Sequence, residues 1–369
     1  MKTRVALSLL LFALAPGAFT QTPGKFTRIS DLNAARAGHT ATLLPNGKVL
    51  LAGGVGSGGF DAPLKSAELY DPATGVFVFT GNMNIGRTGH AATLLANGKV
   101  LIVGGNGGSA GSLASAELYD PAAGTFTTTG NMAASGSGRA ILLPNGKVFV
   151  ALSGSMGQIY DPAIGTFANT GSYTAPSGVS VDTAILLSNG KVLVAASNIS
   201  FTASANQLYD PATNAFDVAA ERTAWYTIST ATALVNGNIL FIEGNDSAFP
   251  DDVEIYDPIS ATFTHIGQTN GLHEFSAASS LGDGSVLVSG GQLPGGNGST
   301  VAELYVTTTG MFVPAAAMEV GRHFHTATLL TDHSVLLAGG FHLWPNATSS
   351  AEVYTSTSGK KRTGQVISQ

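Results

Sequence analysis

The feature that most constrains this chain is a segment it restates seven times. LLPNGKVLLAGG (43–54) returns as LLANGKVLIVGG (94–105), LLPNGKVFVALS (142–153), LLSNGKVLVAAS (186–197), ALVNGNILFIEG (233–244), SSLGDGSVLVSG (279–290) and LLTDHSVLLAGG (329–340). The Asn or Asp of each turn falls at 46, 97, 145, 189, 236, 283 and 332, so the units run 44 to 51 residues. A second segment keeps step with the first. Tyr70, Tyr119, Tyr160, Tyr209, Tyr256, Tyr305 and Tyr354 each close an ELY-like stretch, and a Phe follows seven residues later in every unit but the last, where Lys361 stands. Self-similarity at this period marks an array of supersecondary units that bury their apolar faces against one another.

Each unit reads as four short strands. HTATLL is the first, and Asn-Gly supplies a two-residue turn whose central residues both need positive φ. KVLLAGG is apolar on both faces, as a strand covered on both sides must be. A Gly-rich loop of variable length leads to SAELY, and DPATG turns the chain into VFVF through a Pro that presets φ and a Gly free to go left-handed. No stretch holds a helical period. Four-stranded units repeated radially give an all-β, seven-bladed propeller of antiparallel blades. In that architecture the Tyr and Phe fill the wedge between blades.

A ring must close. The segment 22–39, TPGKFTRISDLNAARAGH, overlays 73–90, ATGVFVFTGNMNIGRTGH, with Phe26 at the place of Phe77. The N-terminus therefore carries a fourth strand without the preceding three, while the seventh unit lacks one. Residues 25–29 are expected to supply the outer strand of the last blade. The domain plan is a signal peptide over 1–20, the propeller over 21–357 and a short basic tail over 358–369.

The leader rests on Lys2 and Arg4 followed by an apolar run from Val5 to Ala15 and then small residues, which implies a secreted or periplasmic protein. That run is shorter than the roughly 18 residues a membrane span needs, and none is expected. Charged residues make up 11% of the chain and the net charge is −6 with no basic stripe, which gives nucleic-acid binding no electrostatic basis. There is no cysteine, so disulfides, thiolate metal sites and a cysteine nucleophile are excluded. A monomer is expected.

The double glycine after the second strand, the Glu-x-Tyr-Asp-Pro stretch and the aromatic seven residues beyond the Tyr resemble the kelch motif, over residues 25 to 357, with Phe where that family usually has Trp. The resemblance implies a propeller of six or seven blades serving as a binding scaffold. A minority of such propellers are enzymes, including the central domain of galactose oxidase and exported bacterial sialic acid mutarotases. Galactose oxidase builds its radical copper site on a Tyr crosslinked to a Cys. This chain has no Cys, so that cofactor and that activity are not expected, and no cofactor is assigned.

Strand alternation places the turns of PNG and DPATG on one uniform rim and the variable loops on the other, where function on such scaffolds resides. At the variable rim, nearest the axis, units one, two and seven read Arg-x-x-His: Arg36 and His39, Arg87 and His90, Arg322 and His325. The middle units depart, with Asp182 in the His place of unit four, and Tyr226 and His273 in the Arg place of units five and six beside Trp225 and Glu274. Glu243 replaces the first glycine of its pair. HFH (323–325) sets His323 and His325 on one side of an extended strand, near His342. No acidic ligand cluster accompanies them, so no metal site is expected. These residues can hold the top of each blade together. They can also offer a funnel of cations, carboxylates and aromatics to a glycan or a protein partner. The alternative is a sugar mutarotase or epimerase using Asp182, Glu243 and Glu274 for acid–base chemistry.

Overall fold

The structure, a computed structural model, describes residues 24–57, 59–152, 156–172, 179–198, 204–223, 226–244 and 250–357. The proposed leader, the basic tail and Trp225 lie outside the described residues. Seven four-stranded antiparallel sheets follow one another in chain order. The inner strands are Thr40–Leu43, Ala91–Leu94, Gly138–Leu142, Val179–Leu186, Thr227–Ala233, Ala277–Ser280 and Thr326–Leu329. Each touches the next, and the last touches the first, so they form a closed ring around the axis. Among the described residues one 3-10 turn, Gly108–Ala110, is the sole helical element.

The ring closes as the overlay of the N-terminus requires. Lys25–Arg28 is the outer strand of blade seven, pairing Phe26 with Tyr354 and Arg28 with Glu352 in the position that the other blades fill from their own sequence. Apolar packing runs between blades rather than within them. Second strands such as Val49–Ala52 and Val335–Ala338 are buried throughout, and clusters such as Val49, Leu51, Tyr70 and Phe77 with Leu336, Ala338 and Ala351 join blade one to blade seven. The tyrosines are buried in every blade, and each lies against the Phe of its own outer strand, as in Tyr70–Phe77 with ring centroids 4.8 Å apart. Burying a side chain of this size stabilises by about 1.5–3 kcal/mol, which accounts for the regularity of these positions.

Inner strands are only half-buried, in contrast to the second strands. Their remaining open side is the axial channel. Hairpins reach further toward the variable rim in blades four and five, where the inner strands run eight and seven residues against four in blades one, two, six and seven. The cause is local. In the short blades a pair of glycines at positive φ, such as Gly53 (65°) and Gly54 (89°), turns the chain out of the sheet. Ala196-Ser197 and Glu243-Gly244 stand in that place and keep pairing.

Candidate functional site

The arginines of the Arg-x-x-His pattern point into their own blades. Arg36, Arg87 and Arg322 are fully buried. Each pairs with the Glu two residues before the blade tyrosine: Arg36 with Glu68 at 2.7 Å, Arg87 with Glu117 at 2.9 Å and Arg322 with Glu352 at 2.7 Å. The same guanidinium donates to the carbonyl of the first glycine, from Arg36 to Gly53 at 2.8 Å and from Arg322 to Gly339 at 2.9 Å. The Glu also accepts from the incoming loop backbone, as Glu68 does from Asn33 N–H at 2.7 Å. One ion pair thus fastens the loop, the double glycine and the third strand of a blade. In blade six His273 takes over, with Nδ1 2.7 Å from Gly290 O and Nε2 3.5 Å from Glu303.

The histidines join neighbouring blades. His90 Nε2 lies 2.9 Å from Thr40 Oγ1, His39 Nε2 3.1 Å from Thr326 Oγ1 and His325 Nε2 3.0 Å from Ser289 Oγ. Burial and the adjacent arginine hold all three below the ordinary histidine range, His90 at about 3, so they are neutral. Each imidazole occupies the space above the first glycine of the preceding blade: His90 over Gly53, His325 over Gly290 and His39 over Gly339.

That relationship explains three of the four places where the histidine is lost. Blades three, four and five have Leu152, Ala196 and Glu243 in place of the first glycine. The blades that follow them have Asp182, Ser229 and Ser276 in place of the histidine. A side chain at the glycine position excludes an imidazole above it, so where the glycine is lost the histidine is lost too. The converse does not hold, since blade two keeps Gly104 while blade three has Gly138 in the histidine place. Asp182 and Ser229 sit at bulges in their strands, a feature that re-aims a side chain. Asp182 accepts from Ser197 Oγ at 2.7 Å, and burial raises its pKa.

Blade five differs from the sequence expectation. Spacing assigned Tyr226 to the arginine place, but the buried guanidinium of this blade is that of Arg222, and it meets Glu243 rather than Glu254, the Glu two residues before Tyr256. Arg222 Nη1 is 2.8 Å from Glu243 Oε1 and donates to Tyr226 O at 3.2 Å. Glu243 does not line the funnel. It is fully buried, and its carboxyl is pushed up to about 9 because burial and the neighbouring Glu254 outweigh the attraction of Arg222. Glu274 packs against the neighbouring Gly244, with its Cγ 2.8 Å from where a Cβ on that residue would lie.

HFH does not present two imidazoles on one side. Phe324 has φ of 51°, the strand begins only at Thr326, and the alternation that an extended strand would impose is lost. His325 meets Ser289, His342 Nδ1 meets Gly321 O at 2.9 Å, and His323 turns into a group of aromatic rings. Among the described residues no group of three or more His, Cys, Asp or Glu is placed to hold a metal ion.

The aromatic group is what the repeat did not announce. Phe275 and Phe324 occupy the left-handed position that Gly38 and Gly89 fill in blades one and two. They stack on each other at 4.3 Å and 19° at the mouth of the channel. Non-glycine residues in this conformation are strained and persist where the surroundings over-determine them, often at functional sites. Phe324 meets Phe341 edge-on at 6.2 Å, Phe341 meets Trp344 at 4.7 Å, and Phe60 from the blade-one loop meets Trp344 at 5.6 Å. Trp344 leans on Gly296 of blade six. Trp344, Phe60 and Leu343 are about half exposed, at 47%, 46% and 51%. Below them His323 is fully buried with both ring nitrogens without a hydrogen-bond partner, and burial lowers its pKa to about 4. Only the length of the variable loops hinted at this platform. Its rings come from three blades with no common spacing.

No protein-family model and no curated protein sequence matches this chain. Among solved structures, the chain is similar to one described as a novel fungal alcohol oxidase with catalytic diversity among the AA5 family, in complex with copper. The identity is 18% over 91% of this chain and 77% of that one, with a TM-score of 0.70. It is also similar to the structure of YjhT, at 13% identity over 89% of this chain and 97% of that one, with a TM-score of 0.57. The donor set here does not fit a copper centre of the crosslinked Tyr-Cys kind, since the chain has no Cys. What these likenesses establish is the fold alone, the β-propeller whose seven blades are described above.

Proposed function

We propose that this protein is a binding module that takes a saccharide on its variable rim, against the platform of Phe60 and Trp344. The observation that supports it is the continuous aromatic group from Phe60 through Trp344 and Phe341 to Phe324 and Phe275, half exposed at one end and locked by ring contacts at the other. A pyranose ring presents a face of C–H groups that lies flat on an aromatic ring, and its hydroxyls reach the polar rim around it. Rings already fixed lose little conformational freedom on binding. An exposed apolar surface rimmed by polar loops is a marker of such a site. Export through the N-terminal leader would place the module where glycans are met.

The carboxylates that a mutarotase would need are not assembled in this way. Glu243 is sealed inside blade five between Arg222 and Glu254, and Asp182 is held by Ser197. Titration of the mature protein with a panel of oligosaccharides, followed by tryptophan fluorescence and calorimetry, tests the proposal. A binding saccharide is expected to lose at least about tenfold in affinity with Trp344→Ala, a loss of about 1.4 kcal/mol, while the melting temperature of the free protein stays within a degree or two. A silent panel, or binding that Trp344→Ala and Phe60→Ala leave intact, overturns it.

A further inference from the structure

Six arginines lie among the described residues, and five have a carboxylate oxygen within 4 Å: Arg28 with Asp31, Arg36 with Glu68, Arg87 with Glu117, Arg222 with Glu243 and Arg322 with Glu352. Arg139 is the sixth. Its one described hydrogen bond is from Nη1 to the carbonyl of its neighbour Gly138, at 3.2 Å. A guanidinium carries five donors and does not lose its charge, so this one keeps most of its capacity.

Its place in the fold says where that capacity points. Arg139 lies on the inner strand Gly138–Leu142, six residues before the turn residue Asn145. The same place holds Thr40, Ala91, Thr183, Thr230, Ala277 and Thr326 in the other blades. Six small side chains and one arginine therefore make up this level of the inner ring. Within its strand Arg139 is the exposed residue. One edge of that strand is taken by Val148–Leu152, and its flanks by the inner strands of blades two and four. The open direction left is the axial channel. Exposure goes together with a pKa lowered chiefly by burial, which is the situation of a group that touches water inside a wall of protein. Low-dielectric walls focus the field of such a charge. The protein carries a net charge of −6, so this cation stands against the sign of the molecule. Asp182 of the next blade is the carboxylate whose field reaches it, but that group is turned to Ser197.

We propose that Arg139 anchors an oxyanion-binding site at the mouth of the axial channel, taking a small carboxylate or phosphate whose other oxygens meet threonine hydroxyls of the same ring. Thr40 and Thr326 are already engaged by His90 and His39, which leaves Thr183 of the adjoining blade as the nearest hydroxyl in ring order. Arginine is suited to this work because its planar fork engages two oxygens at once.

The site is separate from the aromatic platform and is tested without a saccharide. Binding of inorganic phosphate and of acetate is measured by calorimetry and by thermal shift at constant ionic strength, with chloride as the control. Arg139→Thr installs the residue that four other blades already carry, so the variant is expected to fold with an unchanged melt in chloride. The expected result is a rise in melting temperature for the wild type with one or both anions, a loss of at least tenfold in affinity with Arg139→Thr, and tighter binding with Asp182→Asn. A response to phosphate alone or to acetate alone identifies which oxyanion the site prefers. The absence of any response, or an equal response in Arg139→Thr, overturns the proposal.

Discussion

The imidazole of His90 stands over the α-carbon of Gly53 in the preceding blade, with Nε2 2.9 Å from Thr40 Oγ1. A Cβ on Gly53 would come within 2.9 Å of His90 Cε1 and 2.5 Å of Arg87 O, at a backbone φ of 65°. Three blade boundaries are built this way. The imidazole can be there only because the position beneath it is bare. Gly53→Ala is therefore expected to destabilise by at least about 2 kcal/mol, combining a left-handed alanine with a backbone clash. Denaturant unfolding measures the loss. An alanine that leaves stability unchanged would show that the boundary yields at no cost.

Buried ionisable groups set the pH range of the fold. His39, His90 and His325 are neutral in the folded state with depressed pKa values. The unfolded chain binds their protons near the ordinary value of about 6.5. Their contribution is therefore present above that value and is lost as pH falls. Glu243 has the opposite sign. Its folded carboxyl keeps a proton up to about 9, while the unfolded chain releases it near about 4.3. Its contribution is fully present below that lower value and is lost as pH rises through about 9. The melting temperature is thus expected to fall on both sides of a maximum near neutrality. Glu243→Gln should flatten the alkaline limb and leave the acid limb in place, as differential scanning calorimetry from pH 4 to 10 would show. An alkaline limb that persists in this variant would assign it to another group.

The N-terminal strand closes the ring by backbone pairing and ring packing, from Lys25 opposite Thr355 to Arg28 opposite Glu352, with Phe26 against Tyr354 at 5.0 Å and Leu32 N–H donating to Ser349 O at 2.8 Å. A chain lacking residues 21–32 exposes the edge of blade seven and uncovers Tyr354. Its melting temperature is expected to drop by about 5 °C or more. An unchanged melt would mean that another segment can take the outer place.

Much of this was legible in the sequence because repetition is a one-dimensional signal. The period of the Asn-Gly turns, the seven tyrosines and the Phe seven residues on fix four strands to a unit and seven units to the chain. Even the closure could be read, since Phe26 repeats Phe77 without the three strands that should precede it. The same regularity drew attention to Arg36, Arg87 and Arg322 as funnel residues, and the structure places each inside its blade. A buried arginine and its glutamate lie some thirty residues apart, and nothing local announces that they meet.

Spacing misled where backbone conformation departs from the repeat. Counting back three residues from Ser229 led to Tyr226, whereas the strand carries a bulge there and the guanidinium that meets Glu243 is that of Arg222. Counting along HFH put His323 and His325 together, whereas the positive φ of Phe324 separates them. Arg139 was visible as a letter, but that no carboxylate among the described residues lies within 4 Å of its guanidinium was not. Whether a charge has a partner is a fact about distance.

Sequence alone determined the architecture, because turn chemistry, strand alternation and wedge-filling aromatics are properties of neighbouring residues and of their recurrence. Tertiary structure alone decided which side chains face the axis, which are consumed in ion pairs and which stand open on the rim. Phe60, Trp344 and Phe275 come from three blades and share no period. Only closure of the ring brings them into one surface.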